Sequence, residues 1–230
     1  MLHPKLKKLD LRTAAALSGV APAWAAQLEE VAAAAPGDWG AALGFGLSRL
    51  TARSEPDPRP LALVMLKTWM RERGRPYGRG LAQLRAHPLL ITVEREAQAV
   101  WALEEALKSG AVSGALATVE APAFVATRRL DFAAKAGGAM GILLRARPAQ
   151  DLSAARLRWQ VGALVSRRDD LDPRAPGPLR WRAELTRRRD AAPGAFTVEW
   201  EEGDATPRLR LADRLAGDGL VANGRTHAAA

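Results

Sequence analysis

The sequence predicts an α/β protein, a mainly parallel sheet flanked by helices and extended by antiparallel strands towards the C-terminus. Two patterns carry that expectation. From Gln27 to Leu144, apolar runs of strand length alternate with helical segments, the order that right-handed crossovers fold into a parallel sheet. After Ala155 the period changes to two. Leu157, Trp159 and Val161, then Trp181, Ala183 and Leu185, then Phe196, Val198 and Trp200 alternate with polar or small residues, as half-buried antiparallel strands do. The length of 230 residues, 48% of them hydrophobic and 26% charged, suffices for one such domain with a real core plus tails.

Residues 1–24 read as an N-terminal arm with a short helix, and residues 25–202 as the domain. Gln27–Ala35 is the first candidate strand. Asp38–Arg53 is a helix, because Trp39, Ala42, Leu43, Gly46, Leu47 and Leu50 fall near one face. Ser54–Pro60 is a loop, since its closely spaced prolines propagate neither regular structure. Leu61–Leu66 is continuously apolar, as a strand buried on both faces should be. Trp69–Gly80 is basic and reads as a loop, and Leu89–Val93 as the next short strand. Glu94–Ser109 is the strongest helix, with Ala97, Val100, Trp101, Leu103 and Leu107 facing inward and Gly110 as its stop. Ser113–Val119 is a strand, Phe124–Ala136 a helix closed by Gly137-Gly138, and Met140–Leu144 a strand. Arg167–Pro178 is a Pro- and Asp-rich loop. Beyond Glu201 the chain turns charged and Gly-rich, and residues 203–230 read as a partly disordered tail. In it Leu209, Leu211, Leu215 and Leu220 suggest a short amphipathic helix, which either docks in a partner's groove or caps the sheet edge.

Composition excludes several chemistries. There are no cysteines, so neither a disulfide framework nor thiolate chemistry is available, in keeping with a cytoplasmic protein. No apolar run approaches the roughly 18 residues of a spanning helix, so no membrane role is expected. Asp10 and Arg12 interrupt the N-terminal apolar stretch and argue against a signal peptide. The net charge of +9, mostly arginine, suits polyanions or acidic partner surfaces; arginine with alanine enrichment equally reflects a GC-rich genome.

One segment resembles a phosphate-binding loop without its working parts. Ala35-Pro36-Gly37-Asp38-Trp39-Gly40-Ala41-Ala42 follows an apolar strand and opens a helix. A nucleotide loop in that setting needs Gly-x-x-x-x-Gly-Lys-Ser/Thr, where lysine neutralises phosphate and the hydroxyl holds magnesium. Ala41 and Ala42 take those two places, and Asp38 puts a negative charge where phosphates would sit; the plain alternative is an ordinary turn before a helix. No nucleotide cofactor is expected. His3, His87 and His227 lack metal-ligand spacing, so no metal is expected either. Glu104-Glu105 point apart on a helix and read as a solvated or salt-bridged edge. No nucleophile elbow is visible. Trp69 beside Arg71, Arg73, Arg75 and Arg79 is either a single-strand stacking site or a hydrophobic plug under a loop.

Several phrases, in order, resemble the core of RecA, and more closely the RecA-like accessory proteins of bacterial mutagenesis cassettes, the ImuA family. They are GAALGFGLSRL (Gly40–Leu50), VWALEEALKSGAV (Val100–Val112), TRRLDFAAKAGGAMGILLR (Thr127–Arg145), ARLRWQV (Ala155–Val161) and RWRAEL (Arg180–Leu185), running on to VEW, which ends at Trp200. The resemblance covers residues 25–202 and implies a RecA-like fold. It also implies missing chemistry. The catalytic glutamate of RecA would fall near Lys67 and Thr68, and its magnesium-associated aspartate near Thr118, with Glu120 an imperfect stand-in. Only Arg145–Ala154 stands where RecA carries its long DNA-binding loop, leaving Arg145 and Arg147 as candidate phosphate contacts. Arg187-Arg188-Arg189, ahead of Asp190-Ala191-Ala192-Pro193, match the lysines with which RecA reaches its filament neighbour. The alternative is a solvated basic hairpin end.

The resemblance implies a non-catalytic accessory or scaffold protein of SOS-induced translesion DNA synthesis. Its implied partners are an ImuB-like inactive Y-family polymerase, indirectly an error-prone C-family DNA polymerase, and RecA, with weak DNA contact at most. Other readings stay open: a SulA-like cell-division inhibitor acting on FtsZ, a weak ATPase or nucleotide-gated switch, and a plain DNA-binding module.

Overall fold

Among the described residues, nine strands form one sheet. They are β1 (Leu28–Ala33), β2 (Leu61–Leu66), β3 (Pro88–Val93), β4 (Gly114–Thr118), β5 (Met140–Arg145), β6 (Leu157–Leu164), β7 (Arg180–Arg188), β8 (Gly194–Glu201) and β9 (Arg208–Leu215). Their order is β3-β2-β4-β5-β1-β6-β7-β8-β9. The computed structural model describes residues 24–52, 57–82, 88–166, 168–169, 172, 174–188, 194–201 and 208–215. The strands from β3 to β6 in this order are parallel, and β7, β8 and β9 continue as an antiparallel meander. This is the mainly parallel sheet with antiparallel C-terminal strands that the sequence predicts.

The helices cover both faces. Helix α1 (Trp39–Thr51) carries the chain from β1 past β5 and β4 to β2, whereas α4 (Glu96–Lys108) and α5 (Phe124–Gly137) carry it the opposite way along the sheet. Crossovers of one hand running in opposite directions lie on opposite faces. So α1 packs on one side, and α4 and α5 pack together on the other. The inner strands are buried on both faces, and every residue of β1, β2, β4 and β5 is buried. Two glycines permit close approaches. Gly44 on α1 faces the Trp181 ring, where a Cβ would lie 2.8 Å from a ring carbon, and Gly138 closes α5 in the left-handed conformation at φ 61°.

Three expectations need correction. Trp69–Gly80 is not a loop. Lys67–Arg73 forms α2 and Gly78–Ala82 forms α3, with Gly74 at φ 82° ending α2. The residues KTWMRER are adequate helix formers, and their charge disguised that. Trp101 does not face the core: it is 62% exposed, while Ala99, Val100, Leu103 and Leu107 form the buried stripe of α4. The amphipathic helix expected at Leu209, Leu211 and Leu215 is a strand. β9 pairs antiparallel with β8, with Leu209 opposite Trp200, Leu211 opposite Val198 and Leu215 opposite Ala195. An edge strand supplies a free row of amides and carbonyls, and the Arg-Leu-Arg-Leu alternation fits it with period two. Leu220 and the N-terminal arm to Ala23 lie outside the described residues.

Candidate functional site

β1 delivers the chain to the loop-like segment. Ala35 is extended (φ −137°, ψ 163°), and Pro36–Asp38 close one 3-10 turn with the Asp38 N–H on the Ala35 carbonyl at 2.9 Å. Pro36 suits the first position, where no N–H is needed. α1 begins at once with Trp39. Gly37 and Gly40 thus sit inside a helical run. Among the described residues only Gly74, Gly110 and Gly138 have positive φ, and a Cβ at Gly37 or Gly40 would meet nothing within 4 Å. Neither glycine is demanded by the backbone or by a close neighbour. The segment is a helix start, not a cradle of backbone amides.

Asp38 holds this start in place. Its Oδ2 accepts from the Ala35 N–H at 3.0 Å, and its Oδ1 accepts from the Ala163 N–H of β6 at 2.9 Å. Gly162 leaves the space, since a Cβ there would lie 3.3 Å from Asp38 Oδ2. Sequence reasoning found the charge at Asp38 but not its clasp, because Ala163 donates through its backbone from 125 residues away. Ala41 and Ala42 are both buried in the core between α1 and the sheet. A lysine or a hydroxyl there would have to be accommodated among apolar side chains, so the departure from a nucleotide loop extends to packing.

The other positions compared with RecA are also occupied. Lys67 opens α2 in an ion pair with Glu94, and Thr68 is exposed. The Thr118 hydroxyl, fully buried at the end of β4, accepts the Leu66 N–H at 2.8 Å. Glu120 is exposed, and its carbonyl accepts from Arg145 Nε at 3.0 Å.

Arg145 is not placed to touch phosphate, contrary to the sequence expectation. It is buried and ion-paired with Glu30 of β1 and with Asp151 at 2.9 Å; Arg158 reaches the other Glu30 oxygen at 3.0 Å. A guanidinium this enclosed neutralises the chain's own carboxylates, and the hydrogen bond from Arg145 holds the Asp151 carboxyl below its ordinary range. Arg147 is exposed. On the other face of β1, Glu29 is wholly buried and takes Arg49 Nη2 at 2.6 Å, Arg49 Nε at 3.1 Å and Trp159 Nε1 at 3.2 Å. Neither cluster was visible in the sequence, where Glu29-Glu30 look like a polar interruption of a strand.

At the end of β7, Arg187 is exposed and donates to the Ser153 carbonyl at 3.0 Å, and Arg188 is half-buried; Arg189 lies outside the described residues. Trp69 is the plug of the two readings weighed for it. It is 2% exposed and packs edge-on against Trp39 at 5.0 Å between ring centroids, with the Arg73 guanidinium 4.9 Å from its own. Among the described residues no three His, Cys, Asp or Glu side chains gather as a metal site, and no helix is long and apolar enough to cross a membrane.

No protein-family model matches the chain. The chain is 31% identical over 168 residues to Protein ImuA of Caulobacter vibrioides, in strain NA1000 / CB15N and in strain ATCC 19089 / CIP 103742 / CB 15 alike. The alignment covers 67% of this chain and 68% of that protein. Among solved structures, SulA from Pseudomonas aeruginosa is 25% identical with a TM-score of 0.39, covering 51% of this chain and 96% of that one. The KaiC-like protein PH0186 from Pyrococcus horikoshii OT3 is 9% identical with a TM-score of 0.45, covering 80% and 89%.

Proposed function

This chain belongs to the ImuA family, and from that membership we propose that it is a non-catalytic, RecA-like scaffold of SOS-induced translesion DNA synthesis. In this reading it binds an ImuB-like, catalytically inactive Y-family polymerase, meets RecA, and acts with an error-prone C-family polymerase without making or breaking a bond.

The observation that carries the non-catalytic part is the helix start at Pro36–Ala42. Phosphoryl transfer depends on positioned charge. Here the two positions that would supply a cation and a magnesium ligand are buried alanines, and the nearby carboxylate is clasped to the chain's own amides. The basic end of β7 supports the RecA-facing part, since Arg187 presents a planar guanidinium at the surface that can fork onto carboxylate or phosphate.

The test has two arms. Magnesium-dependent ATP turnover should not rise above background, and turnover abolished by Glu120→Gln would identify a weak ATPase instead. Purified chain should form a complex with the Y-family-like polymerase, and Arg187→Glu with Arg189→Glu should weaken association with RecA filaments while leaving the circular dichroism spectrum unchanged. Undiminished RecA binding by the double variant would remove the basic end from the interface.

A further inference from the structure

The sheet ends on two different kinds of edge. β9, the last strand on one side, carries Arg208, Arg210, Asp213 and Arg214. Charge on an edge strand discourages a further strand from pairing there. β3, the last strand on the other side, reads PLLITV and carries none. Its Leu89, Leu90 and Ile91 are 51%, 37% and 36% exposed, and Thr92 is exposed too. Alternation along a strand puts Leu89 and Ile91 on one face and Leu90 on the other. Among the described residues only the β2 side of β3 is paired. The outer side offers a row of amides and carbonyls with apolar side chains above and below it, the template that strand addition uses.

An open groove of about 300 Å³ adjoins this edge. It is lined by Lys67, Met70 and Arg71 of α2, by Arg75 just after it, and by Thr92 of β3 itself. Thr92 stands beside Met65 of β2 in register, so the groove lies at the carboxyl ends of the two strands. Charges of both signs surround it, and their pairing decides what is left over. Glu94 is ion-paired with Lys67, and Glu72 with Arg73 at 2.5 Å. The hydrogen bond from Lys67, and after it the charges of Lys67 and Arg71, hold the Glu94 carboxyl below its ordinary range. Arg71, Arg75 and Arg95 are exposed and form no ion pair among the described residues. With both nearby acids satisfied, the groove keeps an excess of positive charge.

The chain's own remaining segments match this edge poorly. Residues 1–23 carry Lys5, Lys7, Lys8 and Arg12 against one acid, Asp10. Residues 216–230 follow β9, at the opposite edge. Crossing the sheet takes about 38 Å at about 4.8 Å per strand. The full extension of that tail is about 50 Å, which leaves few residues to pair. A second copy added antiparallel through its own β3 would bring Arg85 and His87, which precede the strand, towards the groove, and no acid.

We infer that the outer edge of β3 takes an extended strand of another protein, with acidic residues at the end that lies over the groove. Backbone hydrogen bonds to β3 and apolar contacts with Leu89, Leu90 and Ile91 give the affinity. Arg71 and Arg75 choose acidic strands over basic ones, since surface charge sets encounter rate and partner choice. The inference is independent of the RecA-facing and nucleotide readings, which concern the end of β7 and the start of α1.

The test is selection from a displayed library of short peptides with Val, Ile or Leu at alternate central positions and Asp, Glu, Lys or Arg randomised at both ends. Full-length chain should enrich acid at one end. A selected peptide should slow amide hydrogen exchange over residues 88–93. By fluorescence anisotropy it should bind at least tenfold more weakly to Leu89→Lys/Ile91→Lys and to Arg71→Glu/Arg75→Glu, with circular dichroism confirming that both variants fold. Only alternate amides of an added strand face its neighbour. Of two versions of the peptide, N-methylated on odd or on even amides, one should therefore lose at least tenfold and the other keep its affinity. That comparison uses the unaltered chain and stands even where a variant does not fold. Enrichment of basic or unbiased ends, no slowing over residues 88–93, equal affinity of the two methylated versions, or undiminished binding to a folded variant overturns the inference. So does self-association lost in Leu89→Lys/Ile91→Lys, measured by sedimentation, which would make the edge a homotypic contact. Faster exchange over residues 88–93 after deletion of residues 1–23 would assign the edge to the chain's own arm and overturns it too. Competition of the peptide by oligo-dT, abolished in Arg71→Glu/Arg75→Glu, would make the groove a nucleic-acid surface, with the same consequence.

Discussion

Replacing Arg49 by methionine should be among the most damaging single changes in this chain. Glu29 lies at the centre of the sheet with no solvent exposure, and Arg49 gives it two hydrogen bonds, at 2.6 and 3.1 Å, from a side chain only 6% exposed. Methionine keeps most of the volume and removes the charge. The Glu29 carboxylate would then rely on Trp159 Nε1 at 3.2 Å and Gln27 Nε2 at 3.1 Å. Breaking a buried pair by deleting one partner costs about 3–5 kcal/mol, because the remaining charge is uncompensated. For a domain of this size, 1 kcal/mol moves Tm by about 2–4 °C, so the expected fall is about 6–20 °C. Glu29→Gln combined with Arg49→Met should recover much of the loss, since an amide still accepts from Trp159 without a buried charge. Urea titration followed by tryptophan fluorescence reads both variants, and the double-mutant cycle isolates the coupling. If Arg49→Met loses less than about 1 kcal/mol, or the double variant is no more stable than Arg49→Met, the carboxylate is not held by this pair.

Three other perturbations follow from the geometry. Gly40→Ala in α1 should be tolerated and should stabilise by about 0.5–1 kcal/mol, because its Cβ meets open space in a helical backbone; a large loss would mean the loop needs its glycine. Truncation after Glu202 should lower Tm as well as affect partners, because it strips β9 from β8 and bares an eight-residue edge; an unchanged melting curve would show that β9 adds nothing to the sheet. Acid should destabilise through Asp151 and Glu104. Hydrogen bonding from Arg145 depresses Asp151, while Glu104, though burial pushes it up, is brought below its ordinary value by hydrogen bonds and charge from Lys108 and Arg129. Groups depressed in the folded state contribute stability above their unfolded values, about 4, and lose it as pH falls through the folded ones. Tm should therefore fall as pH drops from 5 to 3, and less steeply in Asp151→Asn/Glu104→Gln; parallel slopes would assign the acid response elsewhere.

The parallel half of the sheet was legible because burial on both faces leaves continuous apolar runs, and Leu61–Leu66 matches β2 residue for residue. Turn chemistry was legible too, since Gly138 takes the left-handed conformation its place after a helix suggests. What escaped the sequence was set by distant partners. Glu29 and Glu30 are stable inside a strand only because Arg49, Arg145 and Arg158 come to them from as far as 128 residues away. Trp101 escaped for the opposite reason. It lies one position from Val100 at the margin of the buried stripe of α4, and periodicity cannot tell the margin of a core from the start of an exposed face. β9 was misread because four leucines suggested a helical stripe, whereas the free edge of β8 rewards the alternation of Leu209 and Leu211.

The Asp38 clasp bears on timing. Loops that sense nucleotide are bistable: they order around a terminal phosphate and relax when it leaves, so the complexes they govern carry a hydrolytic clock. In this chain an internal carboxylate takes two backbone donors, one at each side of the helix start, and it cannot be cleaved or released. On the non-catalytic reading proposed above, the segment would keep the same resting geometry whatever the ATP level. An assembly built on such a subunit would have no internal timer. Its lifetime would be set by how much of each partner is present and by what competes for their surfaces.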